Sequence, residues 1–302
     1  MTDVQLTLKK SKIKKNLRHS VKYIIIIAAT FVMLYPLLWI VGASFNLGAK
    51  ESFWFWPEIF TLVGWKDAFT APGWGSVEGY SLFRALWNTL QYVIPHVIFG
   101  TFTTLLTAYV ITRMHFKGKK IVFALIIGTL LMPNTIFRIP MYAFWTSATI
   151  SPIWEGSTSP FMPYLPLWAG SVFAVNSFSI FMFIQFFRSI PRDLDEAAYM
   201  DGANKFQVLF QVLMPILKPI VITVALLLFI AQFNDYQGPL IYKGAVSTYP
   251  LSLVLPSLGL DSTNTYAHIY ARSIVSVSVL IMVFFGAQKY FVGSDTDSAI
   301  KG

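Results

Sequence analysis

The chain has 302 residues, of which 55% are apolar, 17% aromatic and only 12% charged, with a net charge of +9. Soluble domains carry about 25% charged residues, and the 23 Lys and Arg and 14 Asp and Glu present here would cover such a surface thinly, so its solvent is lipid. A soluble enzyme, a nucleic-acid binder and a disordered protein are excluded. The absence of Cys excludes disulfides, thiolate metal sites and Cys nucleophiles. His19, His96, His115 and His268 are scattered without metal-ligand spacing, so no metal is expected.

A helix needs about 20 apolar residues to cross a bilayer core. The first such run, Tyr23 to Phe45, follows the basic segment Lys9 to Lys22. It is longer than the about 7–15 residues of a signal sequence and no A-x-A site follows, which predicts an uncleaved anchor. A second span lies between Arg84 and Arg113. A third runs from Ile121 to about Trp145, interrupted by Pro133, Arg138 and Pro140. A fourth spans Tyr164 to Phe187, a fifth Pro219 to about Ile241, and a sixth about His268 to Tyr290. His96, beside Pro95, reads as a hydrogen-bonded packing residue of the second span.

With the N-terminus in the cytoplasm, 17 Lys and Arg fall on the inner side and six on the outer side. This positive-inside bias predicts that both termini are cytoplasmic. The outer segment Asn46 to Phe83 carries Trp54, Trp56, Trp65 and Trp74, which suit an interfacial belt. A basic cytoplasmic tail is expected over 1–22, a six-helix membrane domain over 23–292 with an outer loop at 242–267, and a cytoplasmic tail over 293–302.

One cytoplasmic segment stands out, 188–218. Ser189 and Pro191 read as helix-start signals, and Asp193, Asp195 and Glu196 put negative charge in the first turn. Asp201-Gly202 then breaks that helix. A second short helix, with Phe206, Leu209, Phe210 and Leu213 along one face, is expected to end at Pro215 and Pro219. Two short helices joined at a glycine predict a rigid elbow.

Glu196-Ala197-Ala198, Asp201-Gly202 and, after nine intervening residues, Val212-Leu213-Met214-Pro215 resemble the EAA loop of binding-protein-dependent ABC importers, with Val212 and Met214 in place of Ile and Leu. Asn234-Asp235-Tyr236 with Pro239-Leu240 is similar to the signature of carbohydrate permeases, with Phe233 where Trp is usual. Ile139-Pro140-Met141-Tyr142 and the terminal Ser298 to Gly302 resemble two further segments of the same family, the MalG-like permeases of maltose-type sugar importers. The resemblance implies an all-α membrane protein with the type I ABC importer permease fold, placed in a bacterial inner membrane. It implies an oligosaccharide importer in which this chain forms half of the alternating-access pathway. The partners it implies are a second homologous permease, two ATP-binding subunits and an extracytoplasmic solute-binding protein.

By the same resemblance, Glu196, Ala197, Ala198, Asp201 and Gly202 would dock in the ATP-binding subunit. The outer loop 242–267 would reach into the solute-binding protein, and the tail 293–302 between the ATPase subunits. The chain carries no Walker A pattern, so it is no enzyme and binds no cofactor itself; ATP and Mg would be handled by the partner subunits. Arg138 either snorkels to the interface or lines the pathway toward an acidic substrate such as a uronate oligomer. Asn234 and Asp235 either cap a helix end or gate the cavity. A secondary transporter is the alternative class, although no convincing internal repeat supports it.

Overall fold

The computed structural model describes residues 3–46, 56–70, 81–243, 245–257 and 267–299. The main helices are α1 (Asp3–Ser44), α2 (Val63–Thr70), α3 (Leu82–Arg113), α4 (Lys119–Leu130), α5 (Arg138–Trp145), α6 (Ser177–Ser189), α7 (Asp193–Met200), α8 (Lys205–Phe233), α9 (Gln237–Tyr242), α10 (Leu251–Ser257) and α11 (Ala267–Ala299). Among the described residues the one strand-like pairing is an isolated bridge between Asn46 and Phe60.

Among the described residues, five helical stretches are long and apolar enough to cross a membrane: His19–Ser44, Leu82–Arg113, Met162–Ser189, Lys205–Phe233 and Ala267–Tyr290. The expected third span is a pair, Lys119–Leu130 and Asn134–Trp145, bent by 96° and counting as a sixth if it is one span. Pro133 explains the break, because its ring removes a donor and pushes Met132 out of helical geometry. Pro36 and Pro95 lie inside α1 and α3 without ending them. The fourth span is also interrupted: Ala174 adopts the left-handed region at φ +54°, and Asn176 recaps the chain by accepting from the Ser179 N–H at 2.9 Å.

Three expectations fail in instructive ways. The predicted second elbow helix does not end at Pro215 and Pro219; it runs on into the fifth span as α8. Val208–Leu213 forms a π-helical turn immediately before Pro215, and its wider i→i+5 pattern absorbs the proline that would otherwise break the ladder. Ser189 does not start the elbow helix either. It closes α6, with its hydroxyl donating to the Phe186 carbonyl at 2.7 Å. The fifth span is also shorter at its far end than expected, because α8 stops at Phe233 and leaves Asn234-Asp235 outside it.

The chain divides into two compact units. The first comprises residues 1–71 and 260–275. There Trp65 donates its indole N–H to Ser44 Oγ at 3.1 Å, Phe45 stacks between Phe60 and Trp65, and Trp39 meets Tyr270 edge-on at 5.2 Å. The second comprises residues 72–259 and 276–302. Its core joins α3, α6 and α8 through Tyr109, Phe183, Ile184, Phe187, Leu213 and Val224. α11 continues into the expected C-terminal tail as far as Ala299, and residues 300–302 lie outside the described residues. Trp54 and Trp74 of the expected belt, and 244 and 258–266 of the expected outer loop, also lie outside them.

Candidate functional site

The elbow is built on α7. Asp193, Asp195 and Glu196 occupy its first turn, where carboxylates offset the positive end of the helix dipole. Asp195 turns inward, and its Oδ2 lies 3.1 Å from Arg113 Nε, with both side chains below 10% exposure (9% and 6%). Arg113 also donates to the carbonyls of Phe187 at 3.2 Å and Ile190 at 3.0 Å, the orphan acceptors at the end of α6. One guanidinium therefore ties together the ends of α3 and α6 and the start of α7. Arg192 donates to Thr112 O at 3.3 Å, and the Tyr109 hydroxyl donates to Lys205 O at 2.9 Å. Burial raises the Asp195 carboxyl above the ordinary carboxylate value, against the opposing pull of Arg113.

Gly202 ends α7 at φ +85°. The Ala203 N–H reaches back to Ala198 O and the Gly202 N–H to Tyr199 O, both at 3.0 Å; together they form a Schellman motif. Asn204 then opens α8 through a capping box with Gln207. The turn is thus held by backbone and side-chain bonds on both sides. A methyl group at 202 would meet no atom within 4 Å, so the expected effect of Gly202→Ala is conformational alone. It is about 1–2 kcal/mol of destabilisation, read as a lower melting temperature in detergent with the chain still folded.

The five elbow residues singled out in the sequence separate into two roles. Ala198 is buried in the core beside Val208 and Leu209, so it fastens the elbow to the spans. Glu196, Ala197, Asp201 and Gly202 face outward. Around them lies an apolar surface that the sequence reading missed: Met200 is 88% exposed and Phe206 70%, with Tyr199 and Leu194 also exposed. Exposed apolar side chains beside a charged helix start mark a protein-binding surface. On the α7 helical wheel Met200 lies opposite Asp195 and Ala198, which is the signal that reveals it.

At the opposite end of the spans, Asn234 and Asp235 are engaged in local bonds. Asn234 Nδ2 donates to Ile230 O at 2.9 Å. Asp235 Oδ1 accepts from the Gly238 N–H at 3.2 Å, and its carbonyl accepts from Ser252 Oγ at 2.7 Å. Both residues therefore cap the junction between α8 and α9. Arg138 starts α5 after the bend, half-buried, with its Nε lacking a hydrogen-bond partner. No ion pair joins it to Asp235. His96 is half-buried, and its Nδ1 makes no hydrogen bond, contrary to the hydrogen-bonded packing role expected of it.

Lys243, expected as one of six outer cations, is buried at 8% exposure. It donates to Pro163 O, and its ammonium sits 4.0 Å from the Tyr164 ring centroid and 5.6 Å from that of Trp154. Desolvation lowers its pKa from 10.5 to about 8. A depressed folded value means stability is fully present above the unfolded value and is lost as the pH falls through the folded one. The chain should therefore gain stability between about pH 8 and 10.5, and Lys243→Met should remove that part of the slope in thermal melts. Arg272, also expected outside, is buried and engaged within the first unit.

Several known proteins share this architecture. A bacterial ABC transporter involved in the import of the acidic polysaccharide alginate superposes with a TM-score of 0.72 at 22% identity, covering 92% of this chain and 98% of that one. One chain of the MetNI methionine ABC transporter superposes at 0.52, with 20% identity over 69% and 93% of the two chains. At these identities the likeness establishes the fold. Among relatives by sequence, the trehalose/maltose transport system permease protein MalG of Thermococcus litoralis is 26% identical over 290 residues, 91% of this chain and 94% of that protein. The arabinooligosaccharides transport system permease protein AraQ of Bacillus subtilis is 26% identical over 235 residues, 75% and 79% of the two chains. Residues 8–293 match a single family throughout, which sets the secondary-transporter alternative aside: this chain is a binding-protein-dependent transport system inner membrane component.

Proposed function

We propose that this chain is one of two membrane subunits of an ATP-driven importer of oligosaccharides, coupled to its ATPase through the α7 elbow. The observation that carries the reading is the elbow itself. A short helix bearing Glu196 and Ala197, closed by a Schellman turn at Gly202 and pinned by Arg113 to the ends of two spans, α3 and α6, supports a rigid lever. Its exposed Met200 and Phe206 give it an apolar contact face. The positive-inside charge bias supports placing this elbow and both termini in the cytoplasm. The names of the relatives support a saccharide as cargo.

The first span leaves room for a second permease subunit. None of its most apolar window is buried within this chain, a face that lipid or a neighbouring subunit would cover. ATP and Mg would be bound by two separate ATPase subunits, and a solute-binding protein would deliver the cargo to the outer face. The test is to purify the tagged chain from its native membranes in mild detergent and identify what accompanies it. An ATP-binding subunit, a second permease and a solute-binding protein are expected; the chain alone would overturn the reading.

The alternative of an acidic saccharide, such as a uronate oligomer, draws on two observations: Arg138 keeps a half-buried Nε without a partner, and the structurally similar alginate transporter handles such a substrate. Arg138→Ala should then lower substrate-stimulated ATPase activity of the assembled importer at least about tenfold, as loss of a charge-assisted contact of about 1.5–3 kcal/mol implies. Unchanged substrate dependence would leave Arg138 as an interfacial anchor.

A further inference from the structure

A cavity of about 360 Å³ opens beside the elbow, between the ends of α3 and α6 and the start of α4. Five cations line it: Arg113, Lys119, Lys120, Arg188 and Arg192. Among the described residues one carboxylate, Asp195, lies within salt-bridge distance of any of them, and it serves Arg113. Lys119 and Arg192 lean on backbone carbonyls of the α3 end, Lys119 at 3.1 Å from Met114 O and Arg192 at 3.3 Å from Thr112 O. Arg188 lies over the Phe123 ring at 5.2 Å from its centroid. Lys120 is exposed and makes no hydrogen bond or ion pair. Among the described residues, four positive charges thus converge on one concavity with no carboxylate in salt-bridge contact with them.

The opposite wall is apolar, with Ile111, Phe123, Ile184 and Phe187. Ile111, Ile184 and Phe187 lie near the last turns of α3 and α6, and Phe123 near the start of α4, so the cavity sits at one end of these helices, where charged and apolar lining meet. An occupant must match both halves: anionic where the cations converge, apolar or amphipathic where the phenyl rings stand. Basic pockets between span ends take phospholipid headgroups for this reason, and Arg and Lys donors suit a phosphodiester.

We propose that this cavity is a binding site for the phosphate headgroup of an anionic phospholipid, with its glycerol and upper acyl chain against Phe123 and Ile184. Its consequence lies in its neighbours. Arg113 and Arg192, which form its wall, also hold the start of α7. A bound phosphodiester would neutralise the mutual repulsion of these cations and stiffen the root of the elbow. The site stands independently of what the elbow docks against.

The test uses the purified full-length chain in detergent, titrated with phosphatidylglycerol, phosphatidylcholine or glycerol phosphate and read by native mass spectrometry. Lys120→Gln removes an exposed charge, and the double variant Lys120→Gln/Arg188→Gln removes a second exposed charge together with its contact over the Phe123 ring. At about fivefold per charge near a membrane surface, phosphatidylglycerol affinity should fall about fivefold and about thirtyfold respectively. Phosphatidylcholine retention should not change. Equal phosphatidylglycerol affinity in all three proteins would overturn the site and leave only a lipid annulus. Glycerol phosphate competing as well as the lipid would assign the cavity to a soluble phosphate. Loss of a co-purifying ATPase subunit from the double variant, with lipid retention unchanged, would assign it to that partner.

Discussion

Replacing Arg113 with Ala is expected to destabilise the chain by about 3–5 kcal/mol, the range for removing one partner of a buried ion pair. The side chains involved are 6% and 9% exposed, so solvent screens them little. The loss has three parts: the charge pairing with Asp195, and the donors to Phe187 O and Ile190 O at the end of α6. Asp195→Ala should be milder, because Arg113 would keep both carbonyl acceptors. The two variants also differ in pH response. Burial already raises the Asp195 carboxyl, and Arg113 is the largest opposing influence. In Arg113→Ala that value rises further. A raised carboxyl contributes stability that is fully present below the unfolded value and is lost as pH rises through the folded one. Melting temperatures of Arg113→Ala should accordingly recover toward acidic pH, while those of Asp195→Ala should not. The double variant Arg113→Ala/Asp195→Ala should lose less stability than the sum of the two single variants in a thermal double-mutant cycle, because neither charge is left buried alone. Additive single effects would show that the pair is not coupled.

Gly64→Ala is expected to be the most damaging single methyl addition among the described glycines. A Cβ there would lie 2.7 Å from the backbone carbon and the Cβ of Ala267, and 2.9 Å from its carbonyl oxygen. Backbone atoms at the start of α11 do not rotate aside, so the first unit must open as a whole. Overpacking of this kind costs about 1–3 kcal/mol and at times more. Gly238 gives the contrast. A methyl there would run into the Asp235 carboxylate and come within 3.1 Å of Leu167 Cδ2, but both are side-chain ends that swing away. Gly238→Ala should therefore lose mainly the bond from the Gly238 N–H to Asp235, near the about 1 kcal/mol worth of one hydrogen bond. Melting curves in detergent decide the ranking; Gly64→Ala melting no lower than Gly238→Ala would contradict it.

The spans were legible because hydrocarbon imposes one rule, a run of apolar residues about 20 long; five stretches obey it among the described residues, and the third expected span is the one that breaks, at Pro133. Gly202 was legible because only a left-handed turn demands glycine at that point. What escaped is set by neighbours rather than by local sequence. Pro215 reads as a helix stop until the π-helical turn Val208–Leu213 is seen to take up its missing bond. Ser189 carries the residue type of a cap, but it bonds backward to Phe186. Asp195 and Glu196 are adjacent acids in one helix turn, and only the approach of Arg113 makes one structural and leaves the other free to meet a partner. Lys243 could be assigned to a side of the membrane from sequence but not to the interior, because burial under Tyr164 and Trp154 depends on residues about 80 positions away.

Coupling through the elbow is most directly tested with a single thiol, since the chain has no Cys of its own. Ala197→Cys places one on the exposed face of α7. Treated in native membranes with a short bifunctional thiol–amine reagent, it should crosslink to an ATP-binding subunit, with a yield that changes when ATP is added. Phe173→Cys, at a site 80% exposed before the break in the fourth span, should give no such product. An Ala197→Cys chain that transports normally yet forms no crosslink to an ATPase, with or without nucleotide, would contradict the assignment of α7 as the coupling element.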